Sequence, residues 1–135
     1  MMPHEERPAV RLQRLIRGYC VSQAIHVAAT LGVADRLRDG PCGAPALPAA
    51  LAVDAPALYR LLRALAATGV FSEDDQHRFS LTEMGACLCS DAHESLRDQA
   101  ANIGRPADWE VWAYLLESVQ TGQPAFPQLH QGHSI

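Results

Sequence analysis

The side chains best suited to chemistry are few and scattered. Cys87 and Cys89, with His93 close behind, place three soft metal ligands within seven residues. Thiolate and imidazole are donors that zinc favours, but a structural zinc site takes four ligands at wider, paired spacings, and no fourth follows here. Ordinary thiols are the expectation. His130 and His133 would share one face of a helix and could grip a metal, yet Gly132 and the nearby end of the sequence predict a frayed tail. Cys42 lies in a Gly-Pro stretch with no base in a supporting pattern, so it is read as part of a connecting loop. Lysine is absent, which excludes Schiff-base chemistry. The sequence therefore predicts no catalytic residue, no cofactor-binding residue and no metal ligand. The aromatic pair Trp109 and Trp112 remains. At i and i+3 they share a helix face, either as core or as one wall of a pocket for a planar aromatic molecule, to which indole offers broad stacking area.

The elements that position these residues fit one small domain. A chain of 135 residues supports a single hydrophobic core, and its apolar fraction of 48% is ample for one. Aromatics make up only 6%, so Leu and Ala must fill the interior, as close-packed helices allow. The net charge of −4 gives no general attraction to nucleic acid or to acidic membranes. No apolar run approaches the ~20 residues needed to span a bilayer. The opening residues MMPHEERPAV carry acidic charge and no apolar signal core. The four cysteines are accordingly expected as free thiols in a reducing cytoplasm.

The helical pattern begins at about Pro8 and runs to about Ala29. Leu12, Leu15, Ile16 and Tyr19 form one stripe, with Arg11, Arg14 and Arg17 off it. From Val21 to Ala28 the apolar character spreads over more than one face, which asks for more than one neighbour and so points to a second subunit. Gly32 ends this run, and Val33 to Leu37 makes a short second piece. A Gly-Pro loop follows, then a short helix through Leu51 with Pro48 in its first turn. Asp54 caps the next helix, whose stripe is Leu58, Leu61, Leu62 and Leu65, and Gly69 ends it. Val70 to Ser72 and Arg78 to Leu81 read as two strands around the acidic turn EDDQH, and Thr82 caps a helix through Leu88. Ser95 with Asp98 has capping-box spacing before a helix to about Ile103. Asp108 is the expected cap of a last helix carrying Trp109, Trp112, Leu116 and Val119 on one stripe, closed by Gly122 and Pro124.

Three helices, two short strands and a closing helix are the order of a winged helix. The predicted fold is mainly α: a winged-helix-like domain with one small two-stranded β-wing, flanked by long dimerisation helices. Its parts are N-terminal helices at 8–40, the winged-helix core at 41–90, C-terminal helices at 95–122 and a tail at 123–135. The wording is more specific still. LGVADRL, LYRLLRALAATGVF, FSLTEMGACL and WEVWAYLLESVQTGQPAF, in this order and spacing, resemble the N-terminal dimerisation domain of the class I O-methyltransferases that act on plant phenolics and bacterial polyketides.

That resemblance implies a homodimer and a parent enzyme that moves a methyl group from S-adenosylmethionine to a hydroxyl on an aromatic or polyketide acceptor. It also implies that the cofactor loop, catalytic histidine and acidic partners belong to a Rossmann-like domain that these 135 residues do not contain. The expectation is thus a truncated chain, inactive alone. Where the family shows His-Gly, the sequence reads His130-Gln131-Gly132. Candidate acceptor-wall residues are Arg14, Tyr19, Trp109 and Trp112; candidate dimer-interface residues are Leu15, Tyr19, Ile25 and Leu116. Two other functions share the sequence. A DNA-binding regulator would concentrate cations on the recognition helix and wing, but residues 41–88 hold three basic residues (Arg60, Arg63, Arg78) against five acidic ones (Asp54, Glu73, Asp74, Asp75, Glu83). A catalytically empty subunit could instead pair with a separate methyltransferase chain or hold a small aromatic ligand itself. Neither nucleic acid nor membrane is an expected partner.

Overall fold

A computed structural model describes residues 6–124. All but the first two residues of the expected tail, His130 and His133 included, lie outside the described residues. The chain runs α1 (Pro8–Ile16), α2 (Gly18–Leu31), α3 (Val33–Arg36), α4 (Ala46–Leu51), α5 (Ala55–Ala67), β1 (Phe71–Glu73), β2 (Phe79–Leu81), α6 (Glu83–Ala86), α7 (Arg97–Ile103), α8 (Pro106–Ala113) and α9 (Leu115–Thr121). This is the mainly helical, winged-helix-like domain with a two-stranded wing that the sequence predicts.

The core gathers where α2, α3, α4 and α5 meet the wing. Val33, Leu47, Leu62, Leu65, Phe71 and Phe79 are its largest fully buried side chains. Leu58, Leu62 and Leu65 supply the buried stripe of α5. That helix starts where Asp54 accepts the Ala57 amide at 3.0 Å, and Pro56 fits the first turn because its missing N–H would go unbonded there. It ends at Gly69, whose φ of +87° suits glycine and lets the Val70 amide reach back to the Leu65 carbonyl at 3.0 Å.

The wing pairs β1 and β2 antiparallel, with Phe71 opposite Leu81 and Glu73 opposite Phe79. Its turn is tied by Asp74, whose carboxylate accepts the Gln76 and Arg78 amides, each at 2.9 Å. Thr82 joins the wing to α6: its hydroxyl donates between the Gly69 and Val70 carbonyls, at 2.7 and 2.8 Å, and accepts the Gly85 amide at 3.0 Å. The residue read as connecting loop, Cys42, adds a third rung: it exchanges two backbone hydrogen bonds with Phe79, at 3.0 and 2.8 Å. Behind α2, α7 docks closely. His26 Nδ1 bonds the Ala100 carbonyl at 3.0 Å, and Gly104 leaves its ring room that no β-carbon would permit.

Local boundaries depart from expectation where a competing interaction wins. The first helical run breaks at Arg17, because Gly18 has no side chain to hold the turn, giving α1 and α2. The last run likewise divides at Tyr114 into α8 and α9. The flanking helices are therefore two jointed pairs. Helix α4, Ala46–Leu51, by contrast keeps Pro48 in its first turn as expected. Ser95 does not build a capping box: its hydroxyl donates to the Cys89 carbonyl at 2.7 Å, and α7 starts at Arg97. Asp108 does not cap the last run, which opens with Pro106; its carboxylate instead meets Arg105 Nε at 3.3 Å. Helix α6 stops at Ala86, short of Leu88.

Candidate functional site

Two surfaces carry the features that could work on something outside the chain. The first is the junction of α5 with the wing. Tyr59 donates to Glu73 Oε2 at 2.6 Å, and His77 Nδ1 lies 2.8 Å from the same oxygen. The Tyr59 hydroxyl and His77 hold the Glu73 carboxyl below the usual carboxylate range, and the same bond pushes the Tyr59 phenol up. The Arg78 amide and guanidinium hold Asp74 low in the same way. Two of the three wing acids therefore serve the wing's own structure. Tyr59 and His77 rim a hollow of about 260 Å³ floored by Leu47, Leu58, Leu62 and Phe79.

The second surface is larger and apolar. Tyr19 on α2 and Trp109 on α8 meet edge to face, with ring centroids 6.2 Å apart. They wall two adjoining hollows. One, about 570 Å³, is completed by Gln23, Val27, Leu61 and Pro106. The other, about 370 Å³, is completed by Gly18, Ser22, Ile103 and Trp112. Trp109 Nε1 and Gln23 Oε1 are buried polar atoms with no hydrogen-bond partner among the described residues. Sharing Ser22 and Ile103 with the smaller hollow, an apolar groove of about 260 Å³ runs on between Ile25, Val70, Met84, Leu88, Leu96 and Ile103.

The structure brings some of the predicted residues together and not others. Tyr19, Trp109 and Trp112 line one hollow, and Trp112 is 65% exposed, so it is not a core residue. Arg14 stands apart on α1, paired with Glu6. Leu15 and Leu116 are exposed at 78% and 70%. Ile25 is half-buried and leans on the chain's own core while lining the third groove. Sequence reading missed Met84, Leu96 and Ile103, all exposed. Each looks like a core residue in its local pattern, and only the tertiary arrangement leaves it open.

Among the described residues, one cluster has the makings of a cation site: Asp35, Cys89 and Asp91. Its charge is already met, since Arg38 reaches Asp35 at 2.6 Å and Asp91 at 3.3 Å, while Asp35 also accepts the Ser90 amide at 2.9 Å. Burial pushes the Cys89 thiol up. Cys87 and His93, the other members of the sequence trio, are not in this cluster. No helix among the described residues is long and apolar enough to cross a membrane.

Comparison with known proteins agrees with this geometry. Residues 13–91 match the O-methyltransferase dimerisation domain. The phenazine O-methyltransferase PhzM of Lysobacter antibioticus is 41% identical over 115 residues, which are 85% of this chain and 33% of that protein. The crystal structure of LaPhzM superposes with a TM-score of 0.86 at 37% identity, covering 93% of this chain and 38% of that one. The SAH-bound structure of CalO1, a methyltransferase in calicheamicin biosynthesis, gives 0.77 at 35% identity, covering 93% and 38%. The 135 residues thus span about a third of the length of the relatives they match.

Proposed function

Because this chain belongs to the O-methyltransferase dimerisation-domain family, we propose that it is the dimerisation and acceptor-shaping part of an S-adenosylmethionine-dependent methyltransferase of secondary metabolism. The parent reaction would transfer a methyl group to a hydroxyl on an aromatic or polyketide molecule. The observation that carries this reading is the exposed apolar face: Leu12, Leu15, Ile16, Tyr19, Trp112, Leu116 and Val119 are each at least 58% open to solvent. Large apolar patches are rare on monomers and mark surfaces that another body covers. Leu15, Tyr19 and Leu116 are assigned to the seam between two copies. Tyr19, Trp109 and Trp112 form an aromatic wall against which a planar acceptor can lie, while Arg14, paired with Glu6, does not line it.

The described residues do not fit S-adenosylmethionine. A cofactor loop of that kind needs glycines where a buried strand turns into a helix. Here the one strand-to-helix turn is β2 to α6, and its glycine, Gly85, is packed against the Val70 carbonyl with no space for a ligand. No methyl-transfer step is therefore assigned to these residues; their part is to hold two copies together and to shape where the acceptor lies.

Sedimentation equilibrium at ~50 μM, well above the micromolar range in which an obligate interface holds, tests the assembly. A mass of two chains is expected; a folded monomer would overturn the reading.

A further inference from the structure

The hollow between α4, α5 and the wing lies apart from the exposed apolar faces. Among the described residues, none lines both it and either the hollows around Tyr19 and Trp109 or the groove beside Met84. Its floor is Leu47, Leu58, Leu62 and Phe79, each at most 5% exposed. Tyr59, Gln76 and His77 stand at its rim. At about 260 Å³ it is smaller than the ~300–1,000 Å³ of drug-sized ligand pockets, so it suits a single ring. Aromatic edges already meet there: Tyr59 lies 5.6 Å from the His77 ring, edge to face, and 5.8 Å from Phe79.

Glu73 sets the hydrogen bonding of this rim from behind. An ionised carboxylate only accepts, and Tyr59 and His77 hold Glu73 ionised. The Tyr59 hydroxyl donates to its Oε2 at 2.6 Å, and His77 Nδ1–H, 2.8 Å away, donates to the same oxygen. With the ring neutral, a proton on Nδ1 leaves a lone pair on Nε2. The Tyr59 oxygen likewise has its proton engaged. Both groups therefore offer acceptors to a visitor, and the wing turn, residues 73–78, carries three acids against one arginine. We propose that this hollow is a binding site for a small neutral phenol, its ring on Leu58, Leu62 and Phe79 and its hydroxyl donating to His77 Nε2. A carboxylate in place of the hydroxyl would bring another negative charge to that turn, and a bare arene would forfeit the hydrogen bond. Since α5 gives Leu58, Tyr59 and Leu62 while the wing gives His77 and Phe79, an occupant fastens one to the other. The site does not depend on the dimeric reading above.

Fluorine NMR with 4-fluorophenol as the probe tests it, at pH 8, where imidazole is ordinarily neutral and a phenol still protonated. Wild type is expected to broaden the signal saturably at ~1 mM, the weak affinity that a ligand of so few atoms reaches. Fluorobenzene and 4-fluorobenzoate are expected to bind at least ~5-fold more weakly, as loss of one hydrogen bond implies. Ala55→Trp sets an indole into the hollow from an exposed position of its lining and is expected to remove the broadening. His77→Asn accepts the φ of +61° found there but is too short to put an acceptor in the place of Nε2, and should weaken binding at least ~5-fold. Circular dichroism verifies each fold; should Ala55→Trp fail to fold, His77→Asn, in the exposed turn, decides. An unbroadened wild-type signal overturns the site. So does broadening that survives in folded Ala55→Trp; if Trp112→Ala removes it instead, the phenol lies on the aromatic wall. Fluorobenzene binding as well as the phenol, or binding unchanged in His77→Asn, overturns the assignment to a phenol.

Discussion

At the scale of single residues, the polar side chains act mainly as fasteners. Glu73 is the clearest case. It accepts the Tyr59 hydroxyl from α5 and lies 2.8 Å from His77 Nδ1 in the wing turn, and its charged form is favoured by both neighbours. Its folded-state pKa is depressed, so its contribution is fully present above the unfolded value of about 4.3 and is lost as pH falls through the lower folded value. Glu73→Gln should therefore melt below wild type near pH 7, and the two melting curves should converge in acid. Calorimetric scans between pH 7 and pH 3 check this; a gap that persists unchanged at the acid end contradicts it. The wing's acidity also reads differently at this scale. As a count, EDDQH suggests a surface that repels phosphate, but Glu73 and Asp74 are each engaged by neighbours in the fold.

At the scale of elements, what holds a helix end decides how far sequence can be trusted. Asp54 and Thr82 were legible as caps because each stands directly before a helical pattern, and each accepts an amide at 3.0 Å. Asp54→Ala should cost about 1 kcal/mol, the usual worth of a lone cap, while Thr82→Ala should cost more, because its hydroxyl also ties α6 to the strand at Val70. Urea denaturation of the two variants side by side measures the difference; equal costs would show that the cross-element bond adds nothing. Ser95 and Asp108 had the same local signature without building the expected caps: Ser95 Oγ donates to the Cys89 carbonyl and accepts only the Arg97 amide, at 3.3 Å, while Asp108 pairs with Arg105. The Cys42 rung was invisible for a related reason: a single bridge has no periodicity to read. In the candidate site, the tryptophans announced themselves by size and spacing. Met84, Leu96 and Ile103 did not, because exposure of an apolar side chain belongs to packing between α2, α6 and α7.

At the scale of the whole molecule, the chain divides into a closed half and an open half. The closed half is the core of α3, α4, α5 and the wing; the open half is α1, the outer faces of α2 and α7, and α8 with α9. Among the described residues, neither half offers a nucleotide-binding turn. Titration of these 135 residues with S-adenosylmethionine by calorimetry should give no heat beyond dilution, and a one-to-one micromolar isotherm would refute the assignment. The division also fixes an order of events. Since α1 contributes no buried side chain, the core can reach its final packing with α1 still loose, in a step whose rate does not depend on how many chains are present. In the proposed dimer, engagement of α1 with the other copy comes afterwards and is bimolecular, so it slows as the solution is diluted. Two clocks would then run in sequence, and only the second measures concentration.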